Sequence, residues 1–320
     1  DLRLVNATDR KAKAVWEVLS EKGLKVIVVN VPVTYPPEKV NGIMISGMVG
    51  FRAISRDYTY PKEIKNELAQ IGYILDVPLE ARLGHILDAQ HPLEMTEKRR
   101  QAVMHLLKNY PWDFFVVVFS ALDRVQHFFW KYMNSSSGES PLRDVILKTY
   151  EALDNVINEL LGLVDRDTNF IFFSDHGFGP LHTEIFLNNW FKNLGLLKLV
   201  ERSEPGVLKR IVHRLPNYMK SPFARRRRIG PPIAAGPQAL KNIDWSKTKA
   251  WLEASDGRMT INLRGRKPLG IVESGEEYED LKNYIIEKLS EFRDPDNGER
   301  VIEKVHRGEE IYHGPYTRNG

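Results

Sequence analysis

Cysteine is absent from all 320 residues of the sequence. This absence excludes disulfide bonds and thiolate metal ligands, so any metal site must be built from aspartate, glutamate and histidine. The sequence also contains no uninterrupted apolar run of the ~18 residues that a membrane-spanning helix needs. We therefore expect no membrane segment. The absence of cysteine fits an intracellular or thermophilic origin, and we predict a cytoplasmic protein.

The glycine-rich patterns of phosphate-binding loops and of dinucleotide-binding folds are also missing, which argues against nucleotide binding by such a loop. The charge excess is small, because 46 lysines and arginines stand against 42 aspartates and glutamates, for a formal net charge of +4. That balance suits an anionic substrate but is too weak to predict nucleic-acid binding. We expect a small-molecule phosphate ester as partner and no nucleic acid.

Two short apolar runs, Phe114–Phe119 and Phe170–Phe173, are rich in phenylalanine, and the first also contains three valines. Continuous runs of this length are typical of strands buried on both faces of a parallel sheet, and Lys25–Val31 has the same character. The helix-like stripe of Leu142–Val164 lies between the two phenylalanine-rich runs. This alternation predicts an α/β fold in which a β-α-β crossover places those two strands near each other.

An aspartate and a histidine follow each of the two phenylalanine-rich runs. Asp123 and His127 are four residues apart, so they share one face of a helical turn. Asp175 and His176 are adjacent, so they can converge only if the chain has left the strand. Ligands of open α/β sheets gather at the carboxyl ends of the strands, and these are zinc-type side chains. The pattern favours a metal site over ordinary polar residues at strand ends.

The segments D-R-V-Q-H-F-F-W and F-S-D-H-G-F-G-P resemble the metal motifs of the type I phosphodiesterase/nucleotide pyrophosphatase family of the alkaline phosphatase superfamily. The block Asn30–Gly47 and the stretch from D-W-S-K-T-K-A-W to E-E-I-Y-H-G-P-Y are similar to further parts of it. The resemblance implies an α/β/α sandwich with a mostly parallel central sheet and two divalent metal ions, zinc first and manganese as an alternative. By that resemblance, Asp123 and His127 would hold one ion, and Asp175 and His176 the other.

The same resemblance implies a metal-dependent hydrolase of phosphoric esters, with phosphodiester or nucleotide pyrophosphate bonds as expected targets. Phosphonate hydrolysis, phosphomutase and sulfatase chemistry are alternatives for the same site. A catalytically silent domain that binds a ligand or partner is the alternative of another class. In such families an aspartate and a nucleophilic Thr or Ser precede the block that starts near Asn6, and a last metal-binding histidine follows the E-E-I-Y-H-G-P-Y block. We expect both of these pieces to lie outside Asp1–Gly320, leaving incomplete metal sites and feeble hydrolysis in the chain itself.

Three further features carry predictions. We expect a catalytic core in two parts, residues 1–198 and 241–320, around an inserted proline- and arginine-rich segment, residues 199–240. Its run Arg225–Arg228 is interpreted as a solvated surface arm, with a lid or a funnel for anionic substrates as the alternative. Val31–Gly50 is rich in proline and glycine and is predicted to be a structured loop, either lining the site or connecting elements at the surface. His182 is a candidate substrate contact, with an ordinary loop histidine as the alternative.

Overall fold

The computed structural model describes residues 5–47, 57–76, 89–133, 142–200, 242–253 and 257–314. The chain divides into two compact units, Asp1–His182 and Thr183–Gly320. The predicted insertion lies almost wholly outside the described residues, and so does its run Arg225–Arg228. Its extent therefore stays a prediction, as does the division of the core around it.

The first unit is built on a four-stranded sheet with the strand order β3-β2-β1-β4. The strands are β1 (Val26–Val29), β2 (Gly42–Ile45), β3 (Thr59–Tyr60) and β4 (Phe114–Val117). Strand β1 runs parallel to both β2 and β4, and β3 pairs antiparallel with β2. The prediction of an α/β fold with a mostly parallel central sheet is confirmed.

Helices cover the two faces of this sheet. The helices described in this unit are α1 (Val15–Glu21), α2 (Ile64–Ile71), α3 (His91–Asn109), α4 (Ala121–Met133) and α5 (Val145–Leu163), with a short 3-10 turn at Ala7–Asp9. Because side chains alternate along a strand, Val26 and Val28 pack with α1, and Ile27 and Val29 pack with α2, α3 and α5. Helix α4 packs against α3 and α5, and α4 carries the first pair of candidate ligands.

Two sequence-based assignments need correction. Strand β2 lies inside Val31–Gly50, which is predicted from the sequence to be a loop throughout. The strand can form because the prolines of this stretch all precede Gly42–Ile45 and do not interrupt it.

The prediction of a buried strand at Phe170–Phe173 is wrong. This segment has no regular structure, and Ile171 and Phe173 are 79% and 75% exposed. A strand forms only where a neighbour takes up its backbone hydrogen bonds, and no described strand runs beside this one.

The second unit has its own core. Its described elements are α6 (Leu187–Asn193), the antiparallel pair β5 (Ala250–Leu252) and β6 (Met259–Ile261), α7 (Glu276–Ser290) and α8 (Gly308–Ile311). Buried Asn188 ties α6 to β5, because its amide accepts from Leu252 N at 2.7 Å and donates to Leu252 O at 3.2 Å. Leu199 and Ile243 form an isolated antiparallel bridge, so the two ends of the undescribed stretch between them lie side by side.

No helix within the described ranges is both long and apolar enough to span a bilayer.

Candidate metal centre

The first pair of candidate ligands lies on α4, just beyond the carboxyl end of β4. Strand β4 ends at Val117 and α4 begins at Ala121, so Asp123 is in the first turn of the helix. His127 is one turn further along the same face. Oδ1 of Asp123 lies 3.4 Å from Nε2 of His127. The predicted sharing of one helix face is therefore observed.

The second pair reaches α4 through an aromatic contact. Phe178 meets the His127 ring edge-on, with centroids 4.9 Å apart, and lies against Trp130 with centroids 5.4 Å apart. His127 and Trp130 are three residues apart, so they present a common apolar face to Phe178. Asp175 and His176 lie just before this anchored residue, separated from it by Gly177, and the contact brings them close to the helix.

All four predicted metal ligands lie near one another beside α4, just beyond the carboxyl end of β4. Nε2 of His176 lies 4.0 Å from Oδ1 of Asp123 and 3.8 Å from Oδ2 of Asp175. One oxygen of Asp123 thus faces both imidazoles. Asp175 is the outermost of the four, with its side chain 85% exposed. Adjacent residues converge here because the backbone around Asp175 and His176 is not a strand.

The His176 ring is oriented by its own backbone. Its Nδ1 lies 2.9 Å from the carbonyl oxygen of Gly177. This hydrogen bond, followed by the charges of Asp175 and Asp123, raises the pKa of His176 above its ordinary value. A neutral ring that donates from Nδ1 keeps a lone pair on Nε2, the atom that faces the carboxylates. That is the tautomer a metal-binding histidine uses.

The donor atoms fit a divalent metal in chemistry and, for one pair, in spacing. Two ligands that are each about 2.1 Å from a tetrahedral zinc lie roughly 3.4 Å apart, which matches Asp123 and His127. His176 is slightly farther away, at 4.0 Å. Within the part of the chain that the structure describes, no three carboxylate or imidazole groups are close enough together to hold one ion. The metal-binding role of the four residues stays a prediction.

His182 is not brought into this group. It is exposed, in irregular backbone six residues after His176. No hydrogen bond or ion pair joins it to other residues in the described ranges. Its contact with a substrate stays a prediction.

Two charged residues of the site were not found by sequence reasoning. Arg124 bridges Asp123 and Asp76, with Nη1 2.9 Å from Asp123 Oδ2 and Nε 3.2 Å from Asp76 Oδ1. The signal for Arg124 was its position next to Asp123 in D-R-V-Q-H. Nothing in the sequence indicated that Asp76 contacts Arg124, because the two residues are 48 positions apart and only the fold brings them together.

One family model matches nearly the whole chain. The model of the family "Type I phosphodiesterase / nucleotide pyrophosphatase" matches residues 3–319. The chain belongs to this family. This phosphodiesterase-family chain is therefore an enzyme of hydrolase type, as the resemblance of its motifs implied. The comparisons with curated proteins and with solved structures gave no match.

Proposed function

We propose that the chain is a metal-dependent hydrolase of phosphoric esters that acts on phosphodiester or nucleotide pyrophosphate bonds. The observation that carries the proposal is the convergence of Asp123, His127, Asp175 and His176 beyond the end of β4. The family match over residues 3–319 supports a hydrolase of this chemistry. A silent binding domain would have no need to assemble four ligand-type side chains at one edge.

In this proposal Asp123 and His127 hold one divalent ion, and Asp175 and His176 hold another, with zinc as the expected metal. Two bound ions would supply positive charge to the phosphoryl oxygens and to the leaving oxygen. The imidazoles serve as neutral ligands, and the Nδ1 bond to Gly177 keeps Nε2 of His176 directed at the site. The four residues act as metal ligands in this proposal, and the expected nucleophile is a Thr or Ser hydroxyl.

The exposure of the ligands suits a substrate that arrives from solvent. His127 and His176 are each more than half exposed, and Asp175 more so. Phe178 and Trp130 line one side of the group with aromatic surface. A phosphoryl group can therefore reach the ligands directly, and the ester substituent can extend away from the protein.

The test is a hydrolysis assay with diester, pyrophosphate, monoester, phosphonate and sulfate esters, each measured with added zinc, with added manganese and with chelator. We expect turnover that is slow but metal-dependent, and highest for diesters or pyrophosphates. Asp123→Ala and His176→Ala should nearly abolish it. His306→Ala is the matched control, because His306 is an exposed histidine that pairs with Glu310 in the second unit. Turnover that survives chelation and both site substitutions would contradict the proposal.

A further inference from the structure

Arg124 holds two carboxylates at once. Its Nη1 donates to Oδ2 of Asp123 at 2.9 Å, and its Nε and Nη2 donate to the two oxygens of Asp76 at 3.2 and 3.3 Å. The Asp76 side chain is only 4% exposed and that of Arg124 is 18% exposed. A two-pronged contact between a guanidinium and a carboxylate fixes the plane of both groups. Arg124 is therefore held in one orientation by Asp76.

This orientation determines which oxygen of Asp123 is available. Oδ2 is occupied by Arg124, so Oδ1 is left to face His127 and His176 at 3.4 and 4.0 Å. Without Arg124, rotation about the side-chain bonds of Asp123 would let either oxygen, or neither, face the imidazoles. A lysine cannot replace Arg124 in this role, because a single ammonium group lacks the planar fork that serves both carboxylates.

The position of Asp76 is itself fixed by a buried cation. Arg99 on α3 is fully buried, and its Nη2 donates to the carbonyl of Leu75 at 2.9 Å. Its Nη1 donates to Val118 O at 3.3 Å and to Ser120 Oγ at 3.2 Å. Arg99 thus ties the segment that ends in Asp76 to the connection between β4 and α4. Asp76 and Asp123 are located relative to each other by this link.

We infer that Asp76 and Arg124 are positioning residues of the metal centre, which hold Asp123 with Oδ1 directed at the ligand histidines. The inference rests on the proposed function, because it concerns the same centre. Residues that orient a metal ligand in this way typically change metal affinity about 10–100-fold when they are replaced. Neither residue touches the reacting atoms in this account.

The first measurement is zinc binding by calorimetry to the wild type, Asp76→Asn and Arg124→Lys. We expect about 10–100-fold weaker binding in both variants. Glu159→Gln is the matched control, because it removes the carboxylate of an ion pair with Arg100 that joins α3 to α5 and includes none of the site residues. Its zinc affinity should equal that of the wild type. Equal affinity in wild type, Asp76→Asn and Arg124→Lys would overturn the inference and leave the metal centre intact.

The second measurement does not depend on metal. Crystal structures of the metal-free wild type and of the Asp76→Asn variant would show where the Asp123 carboxylate lies. The inference predicts that in the variant Oδ1 leaves the vicinity of His127 while α4 stays in place. An Asp123 carboxylate that keeps its orientation would overturn the inference, even if the wild type failed to bind zinc and the proposed function fell with it. If Asp76→Asn does not fold, Arg124→Lys serves for the same comparison, since it keeps the positive charge.

Discussion

Asp123 and His127 lie one helical turn apart on α4, with Oδ1 of the aspartate 3.4 Å from Nε2 of the histidine. The same oxygen lies 4.0 Å from Nε2 of His176, and Oδ2 of the largely exposed Asp175 lies 3.8 Å from that nitrogen. One carboxylate therefore stands at the centre of the group and the other at its edge. The two aspartates are chemically alike, so their different positions can be tested by substitution.

The first prediction compares those two aspartates. Asp123→Asn should reduce kcat/KM for a diester more than Asp175→Asn, because Asp123 faces both imidazoles and Asp175 faces one. We expect the loss in Asp123→Asn to exceed the roughly 100-fold upper value seen for residues that only support a ligand. Steady-state kinetics at saturating metal provide the comparison. A larger loss in Asp175→Asn would mean that the centre is organised around the outer carboxylate.

The second prediction tests the pairing of β1 with β2. A Cβ on Gly42 would come within 2.0 Å of the Val26 carbonyl oxygen, and Gly42 has φ of +153°. Gly42→Ala should lower the free energy of unfolding by about 1–3 kcal/mol through overpacking and backbone strain. Gly162→Ala on α5 is the control, because nothing lies within 4 Å of the position that its Cβ would take. This substitution should raise the free energy of unfolding by up to about 1 kcal/mol. Urea unfolding measures both, and equal effects would contradict the close contact at β2.

The third prediction concerns the exposed apolar segment Phe170–Phe173. Phe172 is 74% exposed, whereas Phe129 on α4 is 3% exposed. Phe172→Ala should change the free energy of unfolding by no more than about 0.5 kcal/mol. Phe129→Ala should lower the free energy of unfolding by about 3–5 kcal/mol, because it leaves a cavity in the core. Thermal or urea unfolding of the two variants makes the comparison. A large cost for Phe172→Ala would show that this segment is buried in solution as the strand that the sequence suggested.

The fourth prediction is a pH dependence of stability that comes from Glu67. Hydrogen bonds from Tyr110, at 2.5 Å, and from His105, at 2.6 Å, lower the pKa of Glu67 below its ordinary value of 4.5. A carboxyl with a lowered pKa stabilises the fold above its unfolded-state pKa, and the contribution is lost as pH falls through the folded-state pKa. The free energy of unfolding should therefore decrease below about pH 4.5, and this decrease should be smaller in Glu67→Gln.

Tyr110→Phe is the accompanying control, because Tyr110 provides the largest cause of the shift. Its acid dependence should lie between those of the wild type and Glu67→Gln. Chemical unfolding at a series of acid pH values gives the three curves. Parallel curves for the wild type and Glu67→Gln would contradict a lowered pKa in the folded state.

Local patterns predicted the parts of the fold and site that depend on neighbouring residues in the chain. The apolar runs at β1 and β4 identified two neighbouring parallel strands, although β4 is the outermost strand of the described sheet rather than a central one. The four-residue spacing of Asp123 and His127 identified a shared helix face. Phe170–Phe173 has the same apolar character as β4, yet it lies exposed in irregular backbone. Composition shows that a segment is able to form a strand. It does not show whether a partner strand lies beside it.

Long-range relationships were not predictable in the same way. The contact of Arg124 with Asp76 joins residues 48 positions apart, and no spacing rule connects them. Strand β2 was missed because the surrounding prolines and glycines indicated a loop. Phe178 belongs to the motif S-D-H-G-F-G, but the motif does not indicate its contact with Trp130, which depends on the position of α4. The ligand types could be predicted from the sequence, whereas the residues that hold them in place needed the structure.

The measurement that tests the central claim most directly is anomalous X-ray scattering at the zinc absorption edge, from crystals equilibrated with zinc. We expect an anomalous peak about 2.0–2.2 Å from Asp123 Oδ1 and His127 Nε2, and a second peak at the same distance from ligand atoms of Asp175 and His176. Crystals of Asp123→Asn should show the first peak weakened. Zinc bound elsewhere with no peak at these four side chains would contradict the account.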